Sequence, residues 1–231
     1  MAFAEAYLRP GDGFIDVGAN IGTYSMMARS FVGVDGRVDG FEPHPVAVRR
    51  FLENVELNGL TNVAVHAAAL ADQPGSLEFI DGSDVSNRVK SAYDGSRRTI
   101  VVPAVTLDQA LPTGRFAMGK IDVEGFETAA FTGAVDHLAD ANPPVWQIEI
   151  LDHALEKAGS SRAELISVLE GHGYGFAESD PAGPGAGPPR LRWTDVRGGD
   201  ARNVWAVHRS SARQVEERIG SPISDARSPR S

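Results

Sequence analysis

The sequence predicts an α/β domain built on a doubly wound, mostly parallel sheet. Three observations carry that prediction. Short apolar runs alternate with amphipathic stretches along most of the chain, the pattern of strands joined by crossover helices. One such run, Phe14-Ile15-Asp16-Val17, passes straight into glycines and then into helical periodicity. The composition, 231 residues of which 42% are apolar and 23% charged, allows one sizeable buried core.

The elements follow in order. After the strand at Phe14 to Val17, Tyr24, Met27, Ala28 and Phe31 recur at helical spacing, and Val38 to Phe41 forms a second strand ended by Glu42-Pro43. Pro45 stands at a first helical position, with Val48, Phe51, Leu52 and Val55 on one face behind it, and Asn58-Gly59 as the stop. Val63 to Val65 reads as a third strand. Leu77 to Ile80 and Thr99 to Val105 read as two more, separated by the polar stretch 81–98, a candidate flap over a substrate. Met118 to Val123 is a strand, followed by Phe131, Val135 and Leu138 on a helical face, and Val145 to Leu151 is the next. Ser161-Arg162-Ala163-Glu164 matches a capping box before Leu165, Ile166, Val168 and Leu169. Tyr174 to Ala177 and Val204 to His208 make a final strand pair, joined by the Pro/Gly-rich stretch Pro181 to Pro189. The expected organisation is one domain over 1–209, then a disordered Ser/Arg-rich tail over 210–231.

Composition also excludes function classes. With no cysteine there is no thiolate nucleophile or Cys-based zinc site, and the six histidines form no HxxxH pair, so no metal is expected. A net charge of −9 repels a phosphate backbone, so nucleic acid is not the expected partner. No apolar run is long enough to span a membrane and the start resembles no export signal, so the expectation is a cytoplasmic enzyme acting on something small.

The informative segment is Asp16-Val17-Gly18-Ala19-Asn20-Ile21-Gly22, between a strand and a helix. Glycines there let a ligand approach the backbone, and the helix start offers free N–H groups. Asn20 stands where a dinucleotide fingerprint wants its second glycine. Asp16 would suit a cationic group, such as the amino group of an amino-acid moiety, and would oppose a pyrophosphate. Glu42, at the end of the next strand, can accept hydrogen bonds from two ribose hydroxyls. Together these describe a nucleoside site without phosphates, as S-adenosylmethionine requires.

Four motifs in order then carry a resemblance. Asp16 to Ser25, Phe41-Glu42-Pro43-His44-Pro45, Asn54 to Asn58, and Lys120-Ile121-Asp122-Val123-Glu124-Gly125-Phe126-Glu127 with the preceding Val105 to Asp108 resemble the FkbM-type methyltransferase family. The similarity runs from about Pro10 to about Gly175. It implies a Rossmann-like class I methyltransferase fold, seven strands with the last antiparallel, and S-adenosylmethionine as methyl donor. Relatives often carry a longer, partly helical N-terminal region, whereas nine residues precede Pro10 here. The resemblance implies that Asp16, Gly18, Asn20 and Gly22 line the methionine end, that Glu42 holds the ribose, and that Ala68 and Ala69 lie against the adenine. Asp122, at the carboxyl end of its strand, and Glu124, two residues on, would project toward the transferred methyl.

Many members of that family methylate hydroxyl oxygens of natural products or sugars, so a small hydroxylated metabolite is the expected acceptor. The protein must then align nucleophile, methyl and sulfur, and a base must take the hydroxyl proton. Asp122, Glu124, Glu149 and His153 are the candidates. A homodimer could cover the substrate side. Two other readings share the strand–glycine–helix signal: an NAD-type oxidoreductase, and a non-catalytic cofactor-binding protein of the same fold.

Overall fold

The computed structural model describes residues 2–81, 89–91, 95–96, 98–114, 116–179, 189–198 and 203–225. It opens with α1 (Ala2–Tyr7), which buries Phe3, Ala4 and Tyr7. β1 (Gly13–Val17) is buried along its whole length, as a central strand covered on both faces must be. α2 (Thr23–Val32) returns the chain to β2 (Arg37–Phe41), and α3 (Pro45–Leu57), with proline in its first turn, leads to β3 (Val63–His66).

β4 (Ala69–Leu70), β5 (Gly75–Ile80) and β6 (Thr99–Val105) form a small separate sheet of order β4-β6-β5. The two strands expected around the 81–98 stretch are therefore an antiparallel hairpin, Leu77 opposite Val102 and Ile80 opposite Thr99. Most of that stretch lies outside the described residues, and with it the flap expectation. At its ends, Asp81 N donates to Arg98 O (3.0 Å) and Lys90 N to Glu78 O (2.8 Å).

α4 (Leu107–Ala110) is capped by Thr106, whose hydroxyl accepts from Gln109 N. β7 (Phe116–Ile121) leads through α5 (Glu127–Thr132) and α6 (Val135–Ala139) to β8 (Val145–Glu149). α7 (Asp152–Lys157) and α8 (Arg162–Gly171) follow, and Ser161 caps α8 by accepting from Glu164 N (3.2 Å), as the capping box requires. β9 (Tyr174–Ser179), β10 (Leu191–Trp193), β11 (Asn203–His208) and α9 (Ala212–Ile219) complete the chain.

The main sheet has eight strands in the order β10-β9-β11-β8-β7-β1-β2-β3. β1 pairs in parallel with β2 and β7, and β7 with β8, whereas β11 runs antiparallel to both β8 and β9. The seven expected strands are all present, with the last antiparallel. β10 is an eighth, hydrogen-bonded to β9, and too short to show a period in the sequence. Alternation along β1 sends Phe14 to one core and Ile15 and Val17 to the other. Asp16 shares Phe14's face and lies under α2.

The end of the chain corrects one expectation. The segment from 210 was expected to be disordered, but α9 buries Val215 and Ile219, one helical turn apart. Arg218 ties it to the start of the chain, pairing with Asp12 and stacking over the Tyr7 ring at 5.1 Å. Residues 226–231, like 180–188 of the Pro/Gly-rich stretch, lie outside the described residues. Among the described residues no helix is long and apolar enough to cross a membrane.

Candidate active site

A cavity of about 480 Å³ opens at the carboxyl ends of β1, β2, β3 and β7, the edge at which open α/β sheets take ligands. Its floor is the loop after β1. Gly18 N and Ala19 N both donate to Phe41 O at 3.0 Å, which folds the loop across the end of β2. Gly18 has φ +77°, and a Cβ there would stand 2.0 Å from Asp122 O, so no other residue fits. Gly22, at φ +86°, faces Phe51 of α3 rather than the cavity, and a Cβ would meet that ring at 2.2 Å. Gly22 is not among the residues that line the cavity, and its lack of a side chain leaves room for Phe51 of α3.

Glu42 is the clamp. Its Oε2 accepts from Asn20 N at 2.9 Å and its Oε1 from His44 N at 2.8 Å, so one carboxylate joins the loop after β1 to the loop after β2. Burial pushes its pKa up, against the pull of those two N–H groups. It lines the cavity and keeps lone pairs for a diol. Gly18, Asn20, Ala68 and Ala69 line the same cavity, the two alanines where the chain leaves β3.

Asp16 does not reach the wall. It is fully buried under the loop, and its Oδ2 accepts from the Ser25 hydroxyl at 2.7 Å. The cation its carboxylate faces is the protein's own: Lys120 Nζ stands 3.9 Å from Asp16 Oδ1. Burial drives the Asp16 pKa up, and Lys120 opposes that. Sequence reasoning gave Lys120 no role, although a lysine inside an apolar strand is costly enough to signal one. Its ammonium lines the cavity, 3.4 Å from Asp122 Oδ2 and 4.6 Å from the Tyr24 ring centre.

Beyond β7 four acids gather. Asp122 N donates to Val17 O at 3.1 Å, which aligns this loop with the end of β1, and Asp122 and Glu124 line the cavity. Glu124 sits at φ +54°, and the next residue is also left-handed. That turn is held by Glu127, whose Oε1 accepts from Val123 N (3.1 Å) and Gly125 N (3.2 Å). Glu127 is a second residue that the sequence reading passed over. Glu149, at the end of β8, lies behind Asp122, and its pKa is pushed up to about 7 by burial and then by the neighbouring Asp122 carboxylate. His153 is exposed on the first turn of α7 and is not brought to the cavity, because the chain turns away after Leu151. Among the described residues, no three His, Cys, Asp or Glu side chains converge as metal ligands.

Chemically, this edge offers acceptors for a diol at Glu42, small apolar walls at the alanines, and a mixed ion cluster at the other end. A proton acceptor tuned near neutrality stands behind that cluster. A family model described as a methyltransferase FkbM domain matches residues 16–176. A solved structure of a candidate rRNA-methylase from Clostridium thermocellum superposes with a TM-score of 0.53 at 11% identity, covering 88% of this chain and 89% of that one. A methyltransferase FkbM from Methylobacillus flagellatus KT superposes with a TM-score of 0.51 at 15% identity, over 87% of this chain and 48% of that one. At these identities the two structures show a shared fold. No curated protein sequence matches.

Proposed function

This chain belongs to the FkbM methyltransferase family, and on that premise we propose that it methylates a hydroxyl oxygen of a small metabolite. It is a methyltransferase, and S-adenosylmethionine is its cofactor. The cavity fits that molecule. Glu42 has open lone pairs for the ribose diol, and Ala68 and Ala69 leave room for a flat ring. When bound, the cofactor supplies a methyl group already made electrophilic by the sulfonium.

The residues around it then have separate tasks. Glu42 orients the ribose and holds Asn20 and His44 in place. Gly18 lets the loop lie flat beneath the ligand. Asp122 and Glu124 face the acceptor side, and the Asp122–Glu149 pair takes the hydroxyl proton as the oxygen–carbon bond forms. A general base works best with a pKa near the working pH, and an ordinary glutamate, near 4.5, would be too weak. The carboxylates of Asp122 and Glu124 on the cavity wall, with Glu149 behind them raised toward neutrality, are the observation that carries the hydroxyl acceptor. A carbon or sulfur acceptor would have less use for them.

The −9 balance and the acids on the cavity wall support a small molecule over a nucleic acid. The test is transfer of a labelled methyl group from S-adenosylmethionine to a panel of sugars, polyols and phenols, with structured RNA as the competitor substrate. Label in a hydroxylated small molecule, lost in Glu149→Gln, supports the proposal. Label in RNA alone would overturn it.

A further inference from the structure

We infer that Lys120 is the carboxylate-binding residue of the cavity, taking the α-carboxylate of the cofactor's methionyl group. The inference deepens the proposed cofactor site and rests on the placement of the ribose at Glu42.

The first observation is a buried cation held by two carboxylates at the cavity wall. The Lys120 side chain is 8% exposed, within a central strand where an ammonium is stable only if paired. Its two carboxylate neighbours stand at 3.9 and 3.4 Å, and the Tyr24 ring lies against it. Among the described residues the ammonium makes ion pairs but no hydrogen bond. An ammonium has three donors. Asp16 and Asp122 therefore hold the charge in place without using up its hydrogen-bonding capacity, and the group lines the cavity.

The second observation is order along the sheet edge. β3, β2, β1 and β7 are consecutive neighbours, spaced ~4.8 Å apart. Ala68 and Ala69 leave β3, Glu42 ends β2, the glycine loop ends β1, and Lys120 with Asp122 ends β7. With the nucleoside over β3 and β2, the amino-acid arm runs across β1 and meets β7. Lys120 is the cation at that end; the other cation on the cavity wall, Arg50, is carried by α3.

The third is charge. Asp16, Lys120 and Asp122 carry formal charges that sum to −1. The bound cofactor, with sulfonium and ammonium against one carboxylate, carries +1. Asp122, whose side chain is 37% exposed, takes the ammonium while Lys120 takes the carboxylate. On this account Asp16 is a positioning residue that acts through Lys120, which explains why an acid so close to the loop is fully buried.

The test compares two ligands that differ only in that carboxylate, S-adenosylmethionine and its decarboxylated form. Calorimetric titration of the parent should show the carboxylated ligand bound roughly ten- to a hundred-fold more tightly, the worth of one charge-assisted hydrogen bond. Lys120→Met should bind both ligands alike, because the preference for the carboxylate is what Lys120 supplies. Lys120→Arg, which keeps the charge, should retain the preference. A parent indifferent to the carboxylate overturns the inference without any variant being made. So does a Lys120→Met protein that keeps the parent's preference, or one that weakens both ligands equally. A parent that binds neither ligand overturns the cofactor site itself, and this inference with it.

Discussion

Gly18 and Asp122 meet so closely that a single methyl group would force them apart: a Cβ on Gly18 would lie 2.0 Å from the Asp122 carbonyl oxygen. Asp122 N also donates to Val17 O at 3.1 Å, so the loop beneath the ligand and the loop bearing the site acids are packed together and hydrogen-bonded at one point. Neither can move without the other.

Gly18→Ala must relieve both the clash and a φ of +77°, so it should cost at least about 2 kcal/mol of stability. Urea unfolding followed by tryptophan fluorescence reads this directly. An unchanged midpoint would mean the two loops are not coupled as described.

The pH profile of turnover should follow Glu149. Its pKa is raised to about 7, so the proton-accepting form is lost as pH falls through that value. The rate should therefore rise with pH across neutrality and level off above it. Glu149→Gln removes that limb and should lower turnover roughly 10²- to 10⁴-fold, the usual worth of a general base. A profile already flat from pH 5 to 8 would exclude the pair as the base.

His153→Ala should leave turnover within about two-fold of the parent, since the side chain stands in solvent on α7. A large fall would return the histidine to the site and require α7 to move.

Asp39 should govern acid stability. Burial alone would raise its pKa, but the bonds from His66 (2.8 Å) and Arg37 (2.8 Å) outweigh burial and hold it below the ordinary value. A depressed pKa stabilises the fold above the ordinary carboxylate range, and that contribution disappears as pH falls through the folded-state value. Asp39→Asn should therefore cost about 1–3 kcal/mol at pH 7 and markedly less at pH 3. An equal cost at both would mean that charge plays no part.

Elements with a local physical signal were readable in the sequence. Pro45 marks the start of α3, Ser161 and Glu164 cap α8, and β1 runs into Gly18 where only glycine fits. α9 was missed because its burial rests on Val215 and Ile219 alone, in an otherwise polar segment whose partners, Asp12 and Tyr7, lie at the other end of the chain. Glu42, Asn20, Ala68 and Asp122, singled out from loop and strand-end positions, all line the cavity. Asp16 was read as an acid awaiting a ligand's cation; in the fold it lies behind the cavity wall and faces Lys120. Only the pairing of β1 with β7, Asp16 beside Lys120 in register, reveals which cation it meets.

The most direct measurement is calorimetric titration of S-adenosylmethionine into the parent and into Glu42→Ala, with NAD as control. The account predicts binding to the parent, at least a ~10-fold loss in Glu42→Ala as the ribose loses its charged acceptor, and no heat from NAD. Equal affinity in parent and variant would contradict it, because the carboxylate that joins the two loops would then have no hold on the cofactor.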